Sequence, residues 1–354
     1  MVRRDDGRVN ESRSLTEAPP GLLDSLRQGR ELGADWLVSR IGDDGKPFGA
    51  DVRNSWSRLP WALSVAGRPD QAAAVLAWVE RHGLTDDGDF RPGPARGADE
   101  SESPVYWLAQ VALGAWLVGH YDTADAVMGC LLRFWDERNG GVNDRRDGSV
   151  QDFTKTAQLG LTALVMGRTD VAADVRAWLG MTYDAQPELP SCLYARWQGA
   201  SVITDFAEDQ AFTHVVDFRR SRQAYFLPGL AAAFLAGHAR QLGDRASLEL
   251  GRRYLQLNIE GTERQFDDPE SVQICKFGWG AAAMLTADPG GGHLTHVVRM
   301  GQWFLDRQDA DGAWSPSSFL VPEPGDLDRL WKSAEHLMEL SSITQSLTVA
   351  QAAR

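Results

Sequence analysis

The feature that most constrains the fold of this chain is a repeated helix-turn-helix unit. It is clearest over residues 53–80, where apolar residues at helical spacing lead into a Gly-Arg-Pro-Asp turn at residues 67–70 and resume after it. The glycine is expected to end the first helix in a left-handed cap, and the aspartate to cap the second helix. Such a unit buries its apolar face only against its neighbours, so the repeat predicts stacked helical hairpins.

The same unit recurs along the chain, with a single helix before and after the series. The further hairpins span residues 102–139, 151–183, 220–260 and 269–308, and the single helices span residues 21–41 and 327–350. No run of alternating strands interrupts them, so the predicted fold class is all-α. Pairing the first helix with the last gives a sixth hairpin and closes an (α/α)6 toroid, a barrel of six helical hairpins. We expect one toroid catalytic domain over residues 21–354, after a disordered tail over residues 1–20.

Composition excludes several classes of function. The 354 residues carry a net charge of −13, whereas binding to nucleic acid requires a basic face. No segment is apolar over the length of a membrane span, and the charged start of the chain lacks the apolar core of a signal peptide, which predicts a cytoplasmic protein. Cys130, Cys192 and Cys275 lack metal-ligand spacing, so we predict a reducing compartment and no metal.

The expected partner is a small-molecule substrate. The sequence has no glycine-rich phosphate loop and no dinucleotide fingerprint, so no cofactor is predicted. The oligomeric state is left open by the sequence.

Long links join one hairpin to the next and are rich in Gly, Pro or Asp. They cover residues 83–101, 139–149, 184–219, 261–268 and 309–326. In a ring of hairpins they meet at one rim, where the N-termini of the inner helices favour anionic groups. The longest link contains Phe206, Phe212 and Phe218, so we expect it to fold over the rim as a lid or wall.

One segment carries a family resemblance. Residues 303–314, Trp-Phe-Leu-Asp-Arg-Gln-Asp-Ala-Asp-Gly-Ala-Trp, resemble the Gln-Trp repeat of squalene and oxidosqualene cyclases, with weaker versions at residues 36–45 and 134–142. Together with the hairpins, the chain resembles the α/α toroid of terpenoid cyclases and protein prenyltransferases. This resemblance implies a ring with a central cavity. It carries over no mechanism, because the Asp-x-Asp-Asp motif of class II cyclases and the zinc ligands of prenyltransferases are not recognisable here.

Polar residues in the first turns of the inner helices, followed by apolar interiors, indicate a pocket with polar walls. The predicted catalytic residues are the proton donors or acceptors Asp152, Glu335 and His214, with Tyr106 and Tyr225 as lesser candidates. The predicted substrate-binding residues are Arg53, Trp56, Trp107, Lys155, Asp217, Arg222, Lys276 and His336. Arg53, Arg222 and Lys276 would anchor an anionic end, and His214 with Asp217 would form an acid-base or orienting pair.

Simpler interpretations accompany these assignments. Asp152 and Lys155, three residues apart, could form an intrahelical ion pair worth ~0.2–0.5 kcal/mol. Glu335 and His336 are adjacent and point ~100° apart on a helix, so both cannot face one spot. Most tryptophans fall on apolar helix faces and are expected in the core.

The sequence is compatible with three functions. The first is a terpenoid cyclase-like enzyme, a cyclase, isomerase or lyase using acid-base chemistry on an apolar, isoprenoid-like substrate. The second is a carbohydrate-active ring, a sugar epimerase, glycoside hydrolase or polysaccharide lyase. A hydrolase would carry a pair of carboxylates ~5–5.5 Å or ~6.5–9.5 Å apart, depending on the stereochemistry of the reaction. The third is a helical-repeat binding scaffold without chemistry, which predicts an open solenoid. A narrow apolar cavity would favour the first function, and a polar funnel the second.

Overall fold

The structure, a computed structural model, describes residues 17–97 and 99–353. Most of the predicted N-terminal tail, residues 1–16, lies outside the described residues. The helices form hairpins in the predicted order, and each hairpin contributes one helix to an inner ring and one to an outer ring. The helices are α1 (Leu22–Val38), α2 (Leu59–Val65), α3 (Pro69–His82), α4 (Val105–Leu117), α5 (Tyr121–Leu131), α6 (Phe153–Val165), α7 (Thr169–Asp184), α8 (Ala211–His214), α9 (Phe226–Leu242), α10 (Arg245–Glu260), α11 (Arg264–Asp267), α12 (Cys275–Ala287), α13 (Leu294–Asp306) and α14 (Asp326–Ala352).

The inner ring is closed. Its helices are α2, α4, α6, α9, α12 and α14; each contacts the next, and α14 returns to contact α2. The outer helices α3, α5, α7, α10 and α13 pack on their hairpin partners, and α1 packs on α14. The predicted all-α toroid is therefore confirmed, and an open solenoid is excluded.

The inner helices are apolar on nearly every side because other helices surround them. Helix α9 buries an unbroken run from Leu227 to Ala236, and α12 buries one from Cys275 to Ala282. The outer helices are amphipathic instead, as expected for helices with one face in water. None of the helices in the described residues is both long and apolar enough to cross a membrane.

Two glycines allow the inner helices α9 and α12 to approach closely. A Cβ atom on Gly229 would lie 2.2 Å from the carbonyl oxygen of Lys276, and one on Gly280 would lie 2.6 Å from the carbonyl oxygen of Gly229. Both obstacles are backbone atoms, which cannot move aside as a flexible side chain can. This contact also fixes the height of Lys276 in the ring.

We expect Gly229→Ala to lower the free energy of unfolding by about 1–3 kcal/mol or more, because the added methyl group overpacks a backbone contact. Gly129→Ala on α5 is the matched control. A Cβ there meets no atom within 4 Å, and alanine should stabilise the helix by up to ~1 kcal/mol. Urea denaturation of both variants measures the difference, and equal effects would contradict this account of the contact.

In the short turns within the hairpins, the glycines adopt the predicted left-handed conformation, but most of the aspartates do not cap the following helix as predicted. Glycines at positions 67, 119, 167 and 243 all have positive φ angles, between 71° and 85°. Asp244 caps α10 by accepting from the N–H of Ala246. The prediction of an aspartate cap is wrong for α3, α5 and α7, whose aspartates lie inside the first helical turn. There they still interact favourably with the helix dipole.

Two small antiparallel sheets occur in the links, and the sequence did not predict them because strands of two or three residues show no periodicity. One sheet orders β1 (Val150–Asp152), β3 (Arg196–Gln198) and β4 (Ser201–Val202); the other pairs β2 (Cys192–Tyr194) with β5 (Val215–Asp217). The register places Asp152 opposite Arg196. A residue far along the chain thereby comes to lie beside the start of α6.

The longest link crosses part of the rim as predicted. Phe212 in α8 contacts the ring of Phe319, which lies in the link before α14, with ring centroids 6.3 Å apart. Phe206 and Phe218 pack against the core. The link between the third and fourth hairpins therefore touches the link before the sixth and forms a wall above the inner helices.

Candidate functional site

A cluster of buried charges lies inside the ring, at the ends of the inner helices nearest the long links. We call it the inner cluster. It consists of Arg58 just before α2, Lys276 on α12, and Lys332, Glu335 and Glu339 on α14, each at most 3% exposed. Lys332, Glu335 and Glu339 follow one face of α14 because they are spaced three and four residues apart.

Glu335 is the centre of the inner cluster. Lys276 Nζ donates to one carboxylate oxygen and Lys332 Nζ to the other, the latter at 2.5 Å. Arg58 adds an ion pair to Glu335 at 3.4 Å. Charges are rarely buried unless they are paired in this way.

The two glutamates differ in protonation. Burial alone would raise the pKa of Glu335, but the charges of Lys276, Lys332 and Arg58 hold it well below its usual value. Burial raises the pKa of Glu339 to about 7, and the negative charge of Glu335 adds to the rise while Lys276 opposes it. One carboxylate is therefore held ionised and the other is able to carry a proton near neutral pH, which is how acid and base roles are divided in many active sites.

Tyr106 connects the inner cluster to the rim. Its hydroxyl oxygen accepts a hydrogen bond from Arg58 at 2.9 Å, and its ring meets the ring of Trp107 edge-on, with centroids 5.0 Å apart. Both aromatic side chains are half-buried. Tyr106 therefore lies between Arg58 of the inner cluster and Trp107.

A second charged group, the rim cluster, lies at the start of α6. It contains Glu102, Asp144, Asp152, Lys155 and Arg196. Arg196 holds two carboxylates with one nitrogen, Asp144 at 3.1 Å and Asp152 at 2.8 Å. Burial alone would raise the pKa of Asp144, but the charges of Arg196 and Lys155 lower it by more, so the pKa lies below its usual value. The rim cluster thus offers fixed charges close to solvent.

The ion pair considered between Asp152 and Lys155 does not form between their side chains. Asp152 caps α6 and accepts from the backbone N–H of Lys155 at 2.7 Å. Lys155 Nζ instead binds Asp144, with Glu102 at 3.8 Å. The helix cap leaves Asp152 facing Arg196 across the β1–β3 pair, which the helical spacing could not indicate.

Two neighbouring cavities follow the rim. The smaller has a volume of about 230 Å³ and includes Asn54, Glu102, Trp107 and Lys155 in its lining. The larger, of about 630 Å³, is lined by Asp44, Asp51, Trp78, His82 and Arg91 among others. Both are also lined by Pro94 and Ala95, so the link before α4 separates them.

Several predicted site residues have structural contacts. Trp56 is buried and packs edge-on against Trp78 and Phe90. The Tyr225 hydroxyl donates to the backbone carbonyl of Arg220, and burial raises the pKa of Tyr225 well above its usual value. These environments suit packing and hydrogen bonding within the fold.

The residues proposed as a pair or an anion anchor are placed apart. His214 contacts the carbonyl oxygen of Gln210, while the Asp217 carboxylate binds Arg219 and Arg220. The structure therefore does not form the predicted His214–Asp217 pair, since β5 begins directly after His214 and turns the chain.

The three cations of the predicted anion anchor also do not converge. Arg53 pairs with Asp328 at 2.7 Å, and Arg222 pairs with Asp268 and Glu270 at 3.0 and 2.7 Å. Lys276 alone belongs to the inner cluster. Each arginine has a neutralising partner from a distant part of the chain, which spacing along the sequence could not show.

His336 lies beside the inner cluster, with its ring among three aromatic side chains. Its ring meets the rings of Trp303, Phe304 and Trp314 with centroids 5.1 to 6.0 Å apart. Burial and the charge of Lys332 keep the pKa of His336 well below its usual value. The Cys275 sulfur, one nitrogen of His336 and one oxygen of Glu339 lie within 4.8 Å of one another, as the ligands of a metal ion would. The neighbouring cations oppose the binding of a divalent metal ion at this place.

The sequence analysis gave no role to six charged members of the two clusters. They are Arg58, Glu102, Asp144, Arg196, Lys332 and Glu339. The Lys-x-x-Glu-x-x-x-Glu spacing at residues 332–339, inside an otherwise buried helix, is the signal that could have identified the inner cluster. Nothing in the local sequence marks Asp144 or Arg196.

Buried polar groups continue from the inner cluster onto neighbouring inner helices. Gln110 on α4 accepts from the Ser57 hydroxyl at 3.2 Å, while its amide nitrogen has no partner in the described structure. The amide nitrogen of Gln158 on α6 and both carboxylate oxygens of Glu339 likewise have no hydrogen-bond partner there. Unpaired buried polar groups are uncommon and are often found where a protein binds a ligand or water.

Comparison with known proteins identifies the fold. No protein-family model matches the chain, and no curated protein sequence matches it. Solved structures do match. An inactive variant of the GH76A α-1,6-mannanase of Salegentibacter sp. HEL1_6, in complex with α-1,6-mannotetrose, has a TM-score of 0.64 at 10% identity and covers 91% of this chain and 99% of its own.

Two further structures broaden the comparison. A family 76 glycoside hydrolase from a bovine Bacteroides thetaiotaomicron strain has a TM-score of 0.62 at 12% identity, covering 93% of this chain and 78% of that one. A variant of the type II terpene cyclase MstE from Scytonema, in complex with geranylgeranyl dihydroxybenzoate, has a TM-score of 0.56 at 12% identity, covering 92% and 99%. The chain shares the α/α toroid fold of these enzymes. At this identity the likeness concerns the fold alone.

Proposed function

We propose that this chain is a carbohydrate-active enzyme that uses acid-base chemistry at the inner cluster. The observation that carries the proposal is the pairing of an ionised Glu335 with a Glu339 whose pKa is about 7, inside a ring with a polar lining. A sugar needs hydrogen-bond partners throughout its site, and Gln110, Gln158 and the inner cluster supply them. An apolar substrate would leave these groups unpaired at a cost of about 1–3 kcal/mol each.

The proposed reaction is cleavage of a glycosidic bond. Glu339 would donate its proton to the oxygen of the leaving group as the bond between this oxygen and the anomeric carbon breaks, and the Glu335 carboxylate would offset part of the positive charge that develops on the sugar ring. A water molecule would then add to the anomeric carbon, and its proton would return to Glu339. The glycoside hydrolases among the similar structures support this choice. Trp107 lines the smaller rim cavity and offers a surface on which a sugar ring can stack.

A turnover panel tests the function. The purified chain is incubated with α-1,6-mannotetrose, other neutral and acidic oligosaccharides, and an isoprenoid such as geranylgeranyl diphosphate, and the products are followed by mass spectrometry. Release of shorter saccharides supports the proposal. Turnover of the isoprenoid alone would overturn it.

One observation favours the terpenoid hypothesis, and the turnover panel includes an isoprenoid for that reason. Trp61 on α2 and Trp279 on α12 meet edge-on, with centroids 5.7 Å apart, on the two helices that flank α14. Aromatic faces of this kind stabilise carbocations.

Trp107→Ala should weaken saccharide binding by about tenfold, because a stacked aromatic ring contributes on the order of 1 kcal/mol or more. Tyr121→Ala is the control, since Tyr121 is an exposed aromatic residue at the start of α5, on the opposite side of the toroid from the long links. Titration calorimetry with a saccharide identified in the turnover panel measures both variants. Equal affinity in the two variants would remove Trp107 from the site.

A further inference from the structure

The inner cluster holds more positive than negative charge. Arg58, Lys276 and Lys332 are its cations, and within residues 17–97 and 99–353 the carboxylates that pair with them are Glu335 and Glu339. With both glutamates ionised, one positive charge is left over, and with Glu339 protonated the excess is two. His336, adjacent to Glu335 on α14, is held neutral and adds no further positive charge.

An uncompensated charge inside a protein is costly. Moving an isolated ion from water into a protein interior costs several kcal/mol even after relaxation, and the cost is offset when a counter-ion binds. All three cations are 3% exposed or less, so solvent screens them weakly. The ring interior is therefore a site that attracts an anion.

The hydrogen-bond donors of the inner cluster that remain unused can be assigned to particular residues. Arg58 uses one terminal nitrogen for Glu335 and the other for the Tyr106 hydroxyl, and its buried Nε–H has no partner in the described structure. Lys332 pairs with Glu335 and lies over the Trp331 ring at 4.5 Å. Lys276, by contrast, is already shared between the two glutamates. Arg58 therefore has a free buried N–H, and Lys332 makes one of the three hydrogen bonds that its ammonium group can donate.

We propose that the saccharide bound in this ring carries a carboxylate, and that Arg58 binds this carboxylate with the help of Lys332. This inference rests on the proposed function, because it names the class of sugar that the same site takes. A uronic acid has one negative charge, which balances the excess of the inner cluster when both glutamates are ionised and halves it when Glu339 is protonated. A guanidinium group also matches the planar geometry of a carboxylate.

Binding of single sugars tests the inference. Titration calorimetry compares D-glucuronate with D-glucose, which differ only at the carboxylate, and with inorganic phosphate as a simple anion. We expect D-glucuronate to bind at least about tenfold more tightly than D-glucose. Equal affinity for the two sugars would overturn the inference, and so would phosphate binding as tight as that of D-glucuronate.

Variants assign the binding to Arg58. Arg58→Gln should weaken D-glucuronate binding by at least about tenfold, and Arg58→Lys, which keeps the charge but loses the guanidinium fork, should also weaken it if the glutamine variant does not fold. Arg253→Gln is the control, because Arg253 lies on the outer helix α10 and pairs with Asp184. Unchanged affinity in both Arg58 variants would overturn the assignment.

The outcomes separate this inference from the proposed function. If neutral oligosaccharides are cleaved and D-glucuronate does not bind, the carboxylate inference fails and the proposed function stands. If D-glucuronate binds through Arg58 but no saccharide is cleaved, the proposed function fails while the anion site is supported.

Discussion

Replacing Glu335 with glutamine is expected to destabilise the protein by about 3–5 kcal/mol, because it leaves three buried cations without their shared partner. Lys276, Lys332 and Arg58 all pair with Glu335, and two of them have no other carboxylate within ion-pair distance among the described residues. The glutamine keeps the volume and one hydrogen-bond acceptor, so the loss reports charge rather than packing. Urea denaturation at neutral pH measures the change in the free energy of unfolding.

Glu249→Gln on α10 is the matched control. Glu249 forms an ion pair with Arg252 three residues away, and its side chain is 63% exposed. Exposed pairs of this kind contribute about 0–1 kcal/mol. A loss in Glu335→Gln no larger than in this control would mean that the inner cluster does not hold its charges in the manner described.

Glu339→Gln is expected to lower saccharide cleavage by about 10²–10⁴-fold, the usual contribution of a general acid. The wild-type activity should itself fall as the pH rises through about 7, because burial raises the pKa of Glu339 to that value and the proton is then lost. Initial rates measured across this pH range test both statements. Full activity in the glutamine variant would show that another group donates the proton.

The raised pKa of Glu339 also predicts how the free energy of unfolding changes with pH. The change is opposite in direction to that of a salt-bridged acid, whose pKa is lowered. The folded pKa of Glu339 lies above its unfolded value of 4.5, so the folded state binds more protons between these two values. The free energy of unfolding should therefore fall as the pH rises from about 4.5 to about 7. Glu339→Gln should remove this part of the slope, and Glu249→Gln should keep it, as denaturant titrations at several pH values would reveal.

The architecture could be predicted from the sequence because it depends on patterns that repeat. Apolar spacing gave the hairpins, glycine marked the left-handed ends of inner helices, and the unpaired first and last helices implied closure. The long links were also recognisable as one rim. These features are local or periodic, and each occurrence supports the others.

The site could be predicted only in part because it depends on distant residues that converge. Glu335, Lys276 and Tyr106 were chosen from their positions in first helical turns, and the structure brings them together through Arg58. The pairing of Arg196 with Asp144 and Asp152 depends on short strands that show no sequence period. Arg53 and Arg222 were expected to bind one anionic group of the substrate, but each forms a separate ion pair with carboxylates of the protein. The charge of a residue alone does not indicate which neighbour neutralises it.

The pairing of α1 with α14 has a consequence for how the molecule is made. Five hairpins can form from neighbouring helices as they emerge during synthesis, but α1 has to wait until all five hairpins between it and α14 have been translated. Closing so long a loop is slow compared with forming a local contact. Until then the ring stays open, and the apolar flanks of α1 and α2 that α14 will cover remain accessible to chaperones.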